Sequence, residues 1–239
     1  MTAADRRRRL WQLVLAHGEG GEPTLAHVCA ALAEVALVDG AVAALASSAT
    51  VRATVHADGI GAKVEELTLT LGEGPGVDAV VAGRPVIADD LGDRAAAERW
   101  PMFVPAAAAI GVAAVFALPL RVGAVRVGVV TLHRGTPGAL TVAQLSDALI
   151  LADLLCLMLI DPSTNGRHAG QLGPVDGMHN PEVHQAAGMI SVQLGVSVDA
   201  AFSRLRAYAY GHDRPLSEVA GDVVARWLRL EPDTGDGQR

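Results

Sequence analysis

The last quarter of the chain carries the most regular sequence pattern, and this pattern restricts the possible fold of that segment. Between Val183 and Leu230, apolar residues recur every three or four positions in three successive stretches. That spacing places them on one face of an α-helix. The sequence therefore predicts three short helices that bury their apolar faces against each other. The apolar positions are Val183, Ala187, Ile190 and Leu194; then Val198, Ala201, Phe202, Leu205, Tyr208 and Ala209; and finally Leu216, Val219, Ala220, Val223, Val224, Trp227 and Leu228.

Residues that start and end helices lie between these stretches. Gly195 and Gly211 follow the first two, where we expect each to end a helix in the left-handed conformation that glycine adopts without steric cost. Ser197 is placed to cap the second helix, and Pro215 fits the first turn of the third. The boundaries therefore agree with the periodicity.

The order of several short motifs in this segment points to a known family. The motifs are Gln185-Ala186-Ala187-Gly188-Met189, Leu194-Gly195-Val196-Ser197, Ala201-Phe202, Leu205-Arg206, Ala209, Leu216-Ser217-Glu218-Val219-Ala220 and Val223-Val224. Together they resemble the ANTAR domain, an RNA-binding output module of bacterial transcription antiterminators. That family usually has a lysine where this chain has Ala187. The resemblance therefore implies RNA binding with one expected cation missing.

Candidate RNA-binding residues cluster in the second helix and the loop after it, within about three helical turns and one loop. Arginine and aromatic side chains stack on unpaired bases, and arginine also pairs with phosphate. The alternative is that Tyr208 is a core residue and the arginines form a solvated face; the resemblance favours RNA. The predicted RNA-binding residues are Arg204, Arg206, Tyr208, His212 and Arg214, with Gln185 and the open backbone at Gly188 adding contacts.

The charge balance limits how RNA can be bound. The chain has a formal net charge of -7, which argues against nonspecific coating of nucleic acid and against binding to an anionic membrane. Residues 181–230 are neutral overall, so any RNA contact must come from a local patch. Their cations are Arg204, Arg206, Arg214, Arg226 and Arg229, and their anions are Glu182, Asp199, Asp213, Glu218 and Asp222.

Residues 23–160 predict an α+β layout around an antiparallel sheet. The predicted order is a helix, two strands, several short helices, a strand, two long strands at 112–120 and 124–133, and a long helix through about 160. The motifs Val38-Asp39-Gly40-Ala41, Gly72-Glu73-Gly74-Pro75-Gly76, Gly83-Arg84-Pro85-Val86 and Asp89-Asp90-Leu91 accompany this order. It resembles a GAF domain, a small-molecule sensory fold. The resemblance implies a cavity between the sheet and the helices at 59–110, which either binds an unidentified small ligand or belongs to a scaffold that only dimerises.

The predicted fold class is therefore α+β, with a GAF-like antiparallel sheet and flanking helices followed by a small all-α three-helix ANTAR-like domain. We expect an N-terminal leader helix at 1–22, the GAF-like domain at 23–160, a flexible linker at 161–180, the ANTAR-like domain at 181–232 and a tail at 233–239. The uncharged stretch 101–120 is about as long as a membrane span, but its prolines predict a short helix that runs into a buried strand.

No residue pattern predicts catalysis, a metal site or a cofactor. The glycines at 72–76 fit neither the GxGxxG nor the Walker phosphate-binding motif. The adjacent carboxylates of Asp89 and Asp90 would point to opposite faces of a strand and so could not act on one substrate. The eight histidines are scattered, and Cys29 and Cys156 lie in apolar contexts typical of inert buried thiols.

The resulting hypothesis is a cytoplasmic homodimer that binds tandem hairpins in a leader RNA and does not associate with membranes. The helix at 141–160 is expected to form the interface between the two copies of the chain in the dimer. The alternative is a sensor whose helical domain contacts proteins and has lost RNA binding.

Overall fold

Five strands form one antiparallel sheet in the first part of the chain. They are β1 (Gly40–Ser47), β2 (Thr50–His56), β3 (Val86–Ala88), β4 (Ala114–Val122) and β5 (Val125–Arg134). Their order across the sheet is β2-β1-β5-β4-β3, and each neighbouring pair is antiparallel. The computed structural model describes residues 2–18, 21–47, 50–56, 58–160, 181–212 and 214–231. The predicted linker at 161–180 and the tail at 233–239 lie outside the described residues.

Helices α2 (Leu25–Ala36) and α7 (Val142–Ile160) pack on one face of this sheet, and α1 (Ala3–His17) packs against both of them. The register explains the core, since Ala43 and Leu118 both pair with Val130 and all three side chains lie on the same face. We expected a leader at 1–22, but Leu10 and Val14 of α1 are buried in this core. The helix therefore belongs to the hydrophobic unit that contains the sheet.

The opposite face is covered by α3 (Gly59–Leu71) and α4 (Pro75–Ala82). A Cβ atom added at Gly76 would lie 3.4 Å from the Thr131 hydroxyl oxygen, so α4 approaches the sheet closely there. At the start of α3, both carboxylate oxygens of Asp58 lie 3.1 Å from Nε2 of the buried His133. Helices α5 (Arg94–Arg99) and α6 (Phe103–Ala109) follow β3.

The glycine-rich loop at 72–76 has a structural role, because it contacts the start of α6. The backbone N–H groups of Met102 and Phe103 donate to the Glu73 carboxylate at 2.7 and 2.8 Å, which satisfies the start of α6. Gly74 has a φ of 125°, and a Cβ atom there would meet the Phe103 ring at 3.0 Å. Helix α4 begins at Pro75, directly after this loop glycine.

Residues 101–120 form α6 and most of β4, which confirms the predicted short helix followed by a buried strand. Among the described residues, one helix, Val142–Ile160, is long and apolar enough to cross a membrane by length and composition alone. A second candidate arises only if the bent pair Glu182–Leu194 and Val198–Gly211 is treated as one span.

The chain forms two units, and the three predicted helices lie in the second unit. They are α8 (Pro181–Leu194), α9 (Val198–Gly211) and α10 (Leu216–Val224). Most positions of the apolar stripes are buried, with Ile190, Leu205 and Val219 fully inaccessible, but Val198 is 45% exposed. The exact domain boundaries stay a prediction.

Two helix boundaries in this unit agree with expectation and one does not. Gly195 adopts the left-handed conformation with a φ of 64°, and the Ser197 hydroxyl accepts a hydrogen bond from the Ala200 N–H at 3.2 Å. Gly211 is instead the last residue of α9 and has no positive φ, so its predicted left-handed conformation is wrong. The helix ends there because the N–H of Arg214 reaches back to the Ala209 carbonyl at 3.0 Å.

Candidate functional site

Three of the predicted RNA-binding residues lie along one stripe of α9 and its end. Arg204, Tyr208 and His212 are four residues apart, which places their side chains in a row. The rings of Tyr208 and His212 stack with centroids 3.8 Å apart, and His212 Nδ1 lies 2.8 Å from the Tyr208 carbonyl oxygen. Tyr208 is partly exposed. It is therefore not the fully buried core residue of the alternative interpretation.

The other two arginines near α9 are engaged by neighbouring side chains. The guanidinium of Arg206 lies 5.8 Å from the centroid of the Phe202 ring, on a different side of the helix from Arg204. Arg214 pairs with Asp222 at 2.8 Å and with Glu218 at 3.7 Å. Its hydrogen bond with Asp222 raises the pKa of Arg214 above the ordinary value. The charge of Arg214 is thus compensated within the unit.

Gln185 and Gly188 lie elsewhere, in a groove with a volume of about 760 Å³. We call it the α8–α10 groove. Helix α8 contributes Gln185, Gly188, Met189, Val192 and Gln193. Helix α10 and the segment after it contribute Val223, Arg226, Leu228 and Arg229. The structure therefore separates the seven predicted residues into the α9 stripe, the flanking arginines and this groove.

A tight turn after α10 builds one wall of the groove. The Trp227 N–H donates to the Asp222 carbonyl at 2.8 Å, and the Arg226 N–H donates to the Val223 carbonyl at 3.1 Å. This pair of bonds is the Schellman arrangement, in which the residue after the helix adopts the left-handed conformation. Arg226 occupies that position with a φ of 63°. The Gln193 side chain donates to the Leu230 carbonyl and holds the segment against α8.

This turn overturns one expectation from the sequence. The periodicity placed Trp227 on the buried stripe of the third helix, but α10 ends at Val224 and the Trp227 side chain is 84% exposed. Arg226 and Arg229 were counted only as cations of the segment, and their place in the groove was missed. The available signal was two arginines flanking a tryptophan just beyond the last regular apolar position.

The position of the missing family lysine is also informative. Ala187 is 1% exposed and packs inside the three-helix unit, while the neighbouring Gly188 faces the groove. In this chain, the cations near the middle of α8 therefore come from the segment after α10.

Comparison with known families matches both units. The GAF domain model matches residues 21–159, which is more than half of the chain, and the ANTAR domain model matches residues 179–224. The chain belongs to the GAF domain family and carries an ANTAR domain. GAF domains are sensory modules, and ANTAR domains are RNA-binding antitermination modules. The predicted fold class is confirmed, with the sheet in the GAF domain and the three helices in the ANTAR domain.

Solved structures with a similar fold include a domain of a putative two-component sensor histidine kinase from Sinorhizobium meliloti 1021. It is 19% identical, with a TM-score of 0.45, and the match covers 60% of this chain and 92% of that one. The GAF domain from Acinetobacter phosphoenolpyruvate-protein phosphotransferase is 15% identical, with a TM-score of 0.44 and coverage of 73% and 100%. The cyanobacteriochrome TePixJ GAF domain is 14% identical, with a TM-score of 0.42 and coverage of 61% and 89%. No curated protein matches the chain at a significant level.

Proposed function

We propose that this protein is a signal-responsive transcription antitermination regulator. Its ANTAR domain binds tandem hairpins in a nascent leader RNA and prevents the terminator from forming. Its GAF domain senses a small molecule, mediates dimerisation, or does both. The observation that carries this proposal is the ANTAR match over residues 179–224, which spans α8, α9 and α10. The proposal includes a cytoplasmic location and no enzymatic activity.

The surface chemistry of the ANTAR domain supports RNA as the ligand. The α9 stripe offers a guanidinium, a phenol ring and an imidazole in a row, and the stacked rings of Tyr208 and His212 are available for contact with bases. Arg226 and Arg229 add two guanidinium groups in the α8–α10 groove. These groups suit unpaired nucleotides, which offer both base faces and phosphates.

A dimer suits an RNA with two hairpins, because binding of the first hairpin raises the effective concentration of the second. Helix α7 supports pairing, since several large apolar side chains on its outer side are exposed. They are Val142, Leu149, Leu157 and Ile160. Exposed apolar patches of this kind are typical of protein interaction sites.

The test uses the full chain and a synthetic RNA with two hairpins, each closing a six-nucleotide loop. All loop nucleotides are randomised, and RNAs retained by the protein are selected and sequenced. We expect enrichment of a loop sequence, tighter binding to two hairpins than to one, and increased read-through of a terminator in purified transcription reactions. Failure to enrich any loop sequence at moderate salt contradicts the proposal.

A second candidate is a sensor whose helical domain contacts proteins. The neutral charge of residues 181–230 and the Arg214 ion pairs favour it. Co-purification of a protein partner that persists after ribonuclease treatment, together with no RNA enrichment, would select this candidate.

A further inference from the structure

We infer that the α8–α10 groove is the site where the ANTAR domain receives an unpaired RNA nucleotide, with Arg226 and Arg229 contacting its flanking phosphates. This inference rests on the proposed function and deepens it by naming the contact surface. Both arginines lie beyond residue 224, where the ANTAR match ends, so that match assigns them no role.

The lining of the groove suits a nucleotide. Its lining includes the apolar side chains of Met189, Val192 and Val223, and the Gln185 amide offers hydrogen bonds. Its volume of about 760 Å³ lies within the range of about 300–1,000 Å³ that is typical of small-molecule sites. A base needs both features, since its faces are apolar and its edges form hydrogen bonds.

Charge identifies the occupant as an anion. Two guanidinium groups line the groove, and no carboxylate does so within the part of the chain that the structure describes. In those same residues, Arg226 and Arg229 form no ion pair, whereas Arg214 is held by Asp222 and Glu218. A local surplus of positive charge on a chain with a net charge of -7 favours a polyanion over an apolar protein segment.

Two residues at the groove are not those that the local backbone favours. Gly188 lies in the middle of α8, where glycine is a poor helix former, yet a Cβ atom there would contact nothing within 4 Å. Arg226 holds the left-handed conformation that glycine adopts more readily. Departures of this kind are expected where a ligand approaches the backbone or needs a side chain at a fixed position.

Trp227 lies between the two arginines in the sequence, and its ring is 84% exposed. An exposed indole is a stacking surface for a base next to the one in the groove, and such stacking tolerates any base. The arginines and the tryptophan are held on one short segment, which the Gln193 side chain fixes to α8.

The test compares three full-length variants on the RNA selected by the wild-type protein. The first is Arg226→Gln/Arg229→Gln, and the second is Gly188→Leu, which fills the groove from a position with open space. The matched control is Arg121→Gln/Arg126→Gln, which removes two exposed arginines from the hairpin between β4 and β5. Affinity is measured by fluorescence anisotropy from 50 to 300 mM salt, and circular dichroism and urea unfolding confirm that each variant is folded.

We expect both groove variants to bind at least tenfold more weakly and the control to stay within twofold of the wild type. The double arginine variant should also lower the slope of log affinity against log salt by about 1.4, since each single-strand phosphate contact contributes about 0.7. If the wild type binds RNA and both groove variants bind equally well, the inference is wrong and the proposed function stands. If the wild type selects no RNA, both are wrong; a protein partner lost only in the groove variants would then identify a protein-binding groove.

Discussion

At the scale of single residues, the buried Glu65 of α3 is the clearest departure from ordinary packing. Its side chain is fully enclosed, and its Oε1 atom has no hydrogen-bond partner within the described structure. Burial, together with the nearby Glu66 carboxylate, raises the pKa of Glu65 to about 7. The carboxyl group therefore ionises more readily in the unfolded chain than in the folded one. Its contribution to stability is fully present below about pH 4.5 and is lost as the pH rises through 7.

We predict that Glu65→Gln makes stability less dependent on pH between 5 and 8. Glutamine keeps the shape and stays neutral, so the variant should exceed the wild type by about 2–3 kcal/mol at pH 8. The advantage should shrink towards pH 5. Urea unfolding at the two pH values measures this difference, with the exposed Glu98→Gln as the control. An equal effect of pH on wild type and Glu65→Gln would show that Glu65 is not the responsible group.

A second residue, Asp58, joins three elements through its carboxylate. It accepts hydrogen bonds from the N–H of Gly61 at 2.5 Å, from the N–H of Ala41 at 3.1 Å and from His133. Partial burial would raise the pKa of Asp58, but these bonds outweigh burial and keep the pKa below its ordinary value. Gly40 permits this approach, because a Cβ atom there would lie 1.7 Å from an Asp58 oxygen.

We predict that Asp58→Ala destabilises the GAF domain by about 2–3 kcal/mol. It removes the cap of α3 and leaves the buried His133 without its partner. Asp58→Asn should lose less, since asparagine is an equally good helix cap. The measurement is urea unfolding at pH 7, and equal losses in the two variants would contradict the importance of the cap.

At the scale of elements, the sequence predicted which segments form helices better than where they end. The apolar stripes of α8, α9 and α10 follow from local spacing, and burial of Ile190 and Leu205 confirms them. The end of α10 depends on the carbonyl to which the Trp227 N–H donates, and the spacing of apolar residues does not determine that hydrogen bond. The groove joins Gly188 to Arg226 across 38 positions of the chain. No periodic pattern relates residues so far apart. Of the residues that line the groove, the sequence analysis therefore predicted only Gln185 and Gly188 of α8.

The left-handed conformation of Arg226 gives a test at this scale. We predict that Arg226→Gly raises the stability of the ANTAR domain by about 0.5–1 kcal/mol, because glycine relieves the steric cost of a positive φ. Thermal unfolding followed by tryptophan fluorescence measures the change. Arg229→Gly is the matched control, since Arg229 has no positive φ and should gain nothing. A similar gain should follow from Leu37→Gly at the end of α2, where φ is 52°. No gain in either variant would contradict this account.

At the scale of the whole molecule, the two domains were predicted from different kinds of signal. The ANTAR domain followed from helical periodicity with motifs in order. The GAF domain required many weak motifs together, because the pairing of β1 with β5 joins residues about 90 positions apart. The α1 helix begins with charged residues, yet it packs into the same hydrophobic core as the sheet. This packing is possible because Arg6 and Arg9 pair with the buried Asp147 of α7. Long-range ion pairs of this kind cannot be read from local composition.

The proposed dimer gives the last prediction. Leu157 on α7 is 58% exposed, and in a dimer paired through α7 a charge at this position would be forced into an apolar interface. We expect Leu157→Glu to remain folded and become monomeric in sedimentation equilibrium. Its affinity for one hairpin should be unchanged, whereas the tandem RNA should lose its advantage of 10²-fold or more, which linked sites provide. Ala143→Glu, at an exposed position on the same helix, is the control. A variant that keeps the full tandem advantage as a monomer would show that one chain binds both hairpins, and α7 would then have no role in RNA recognition.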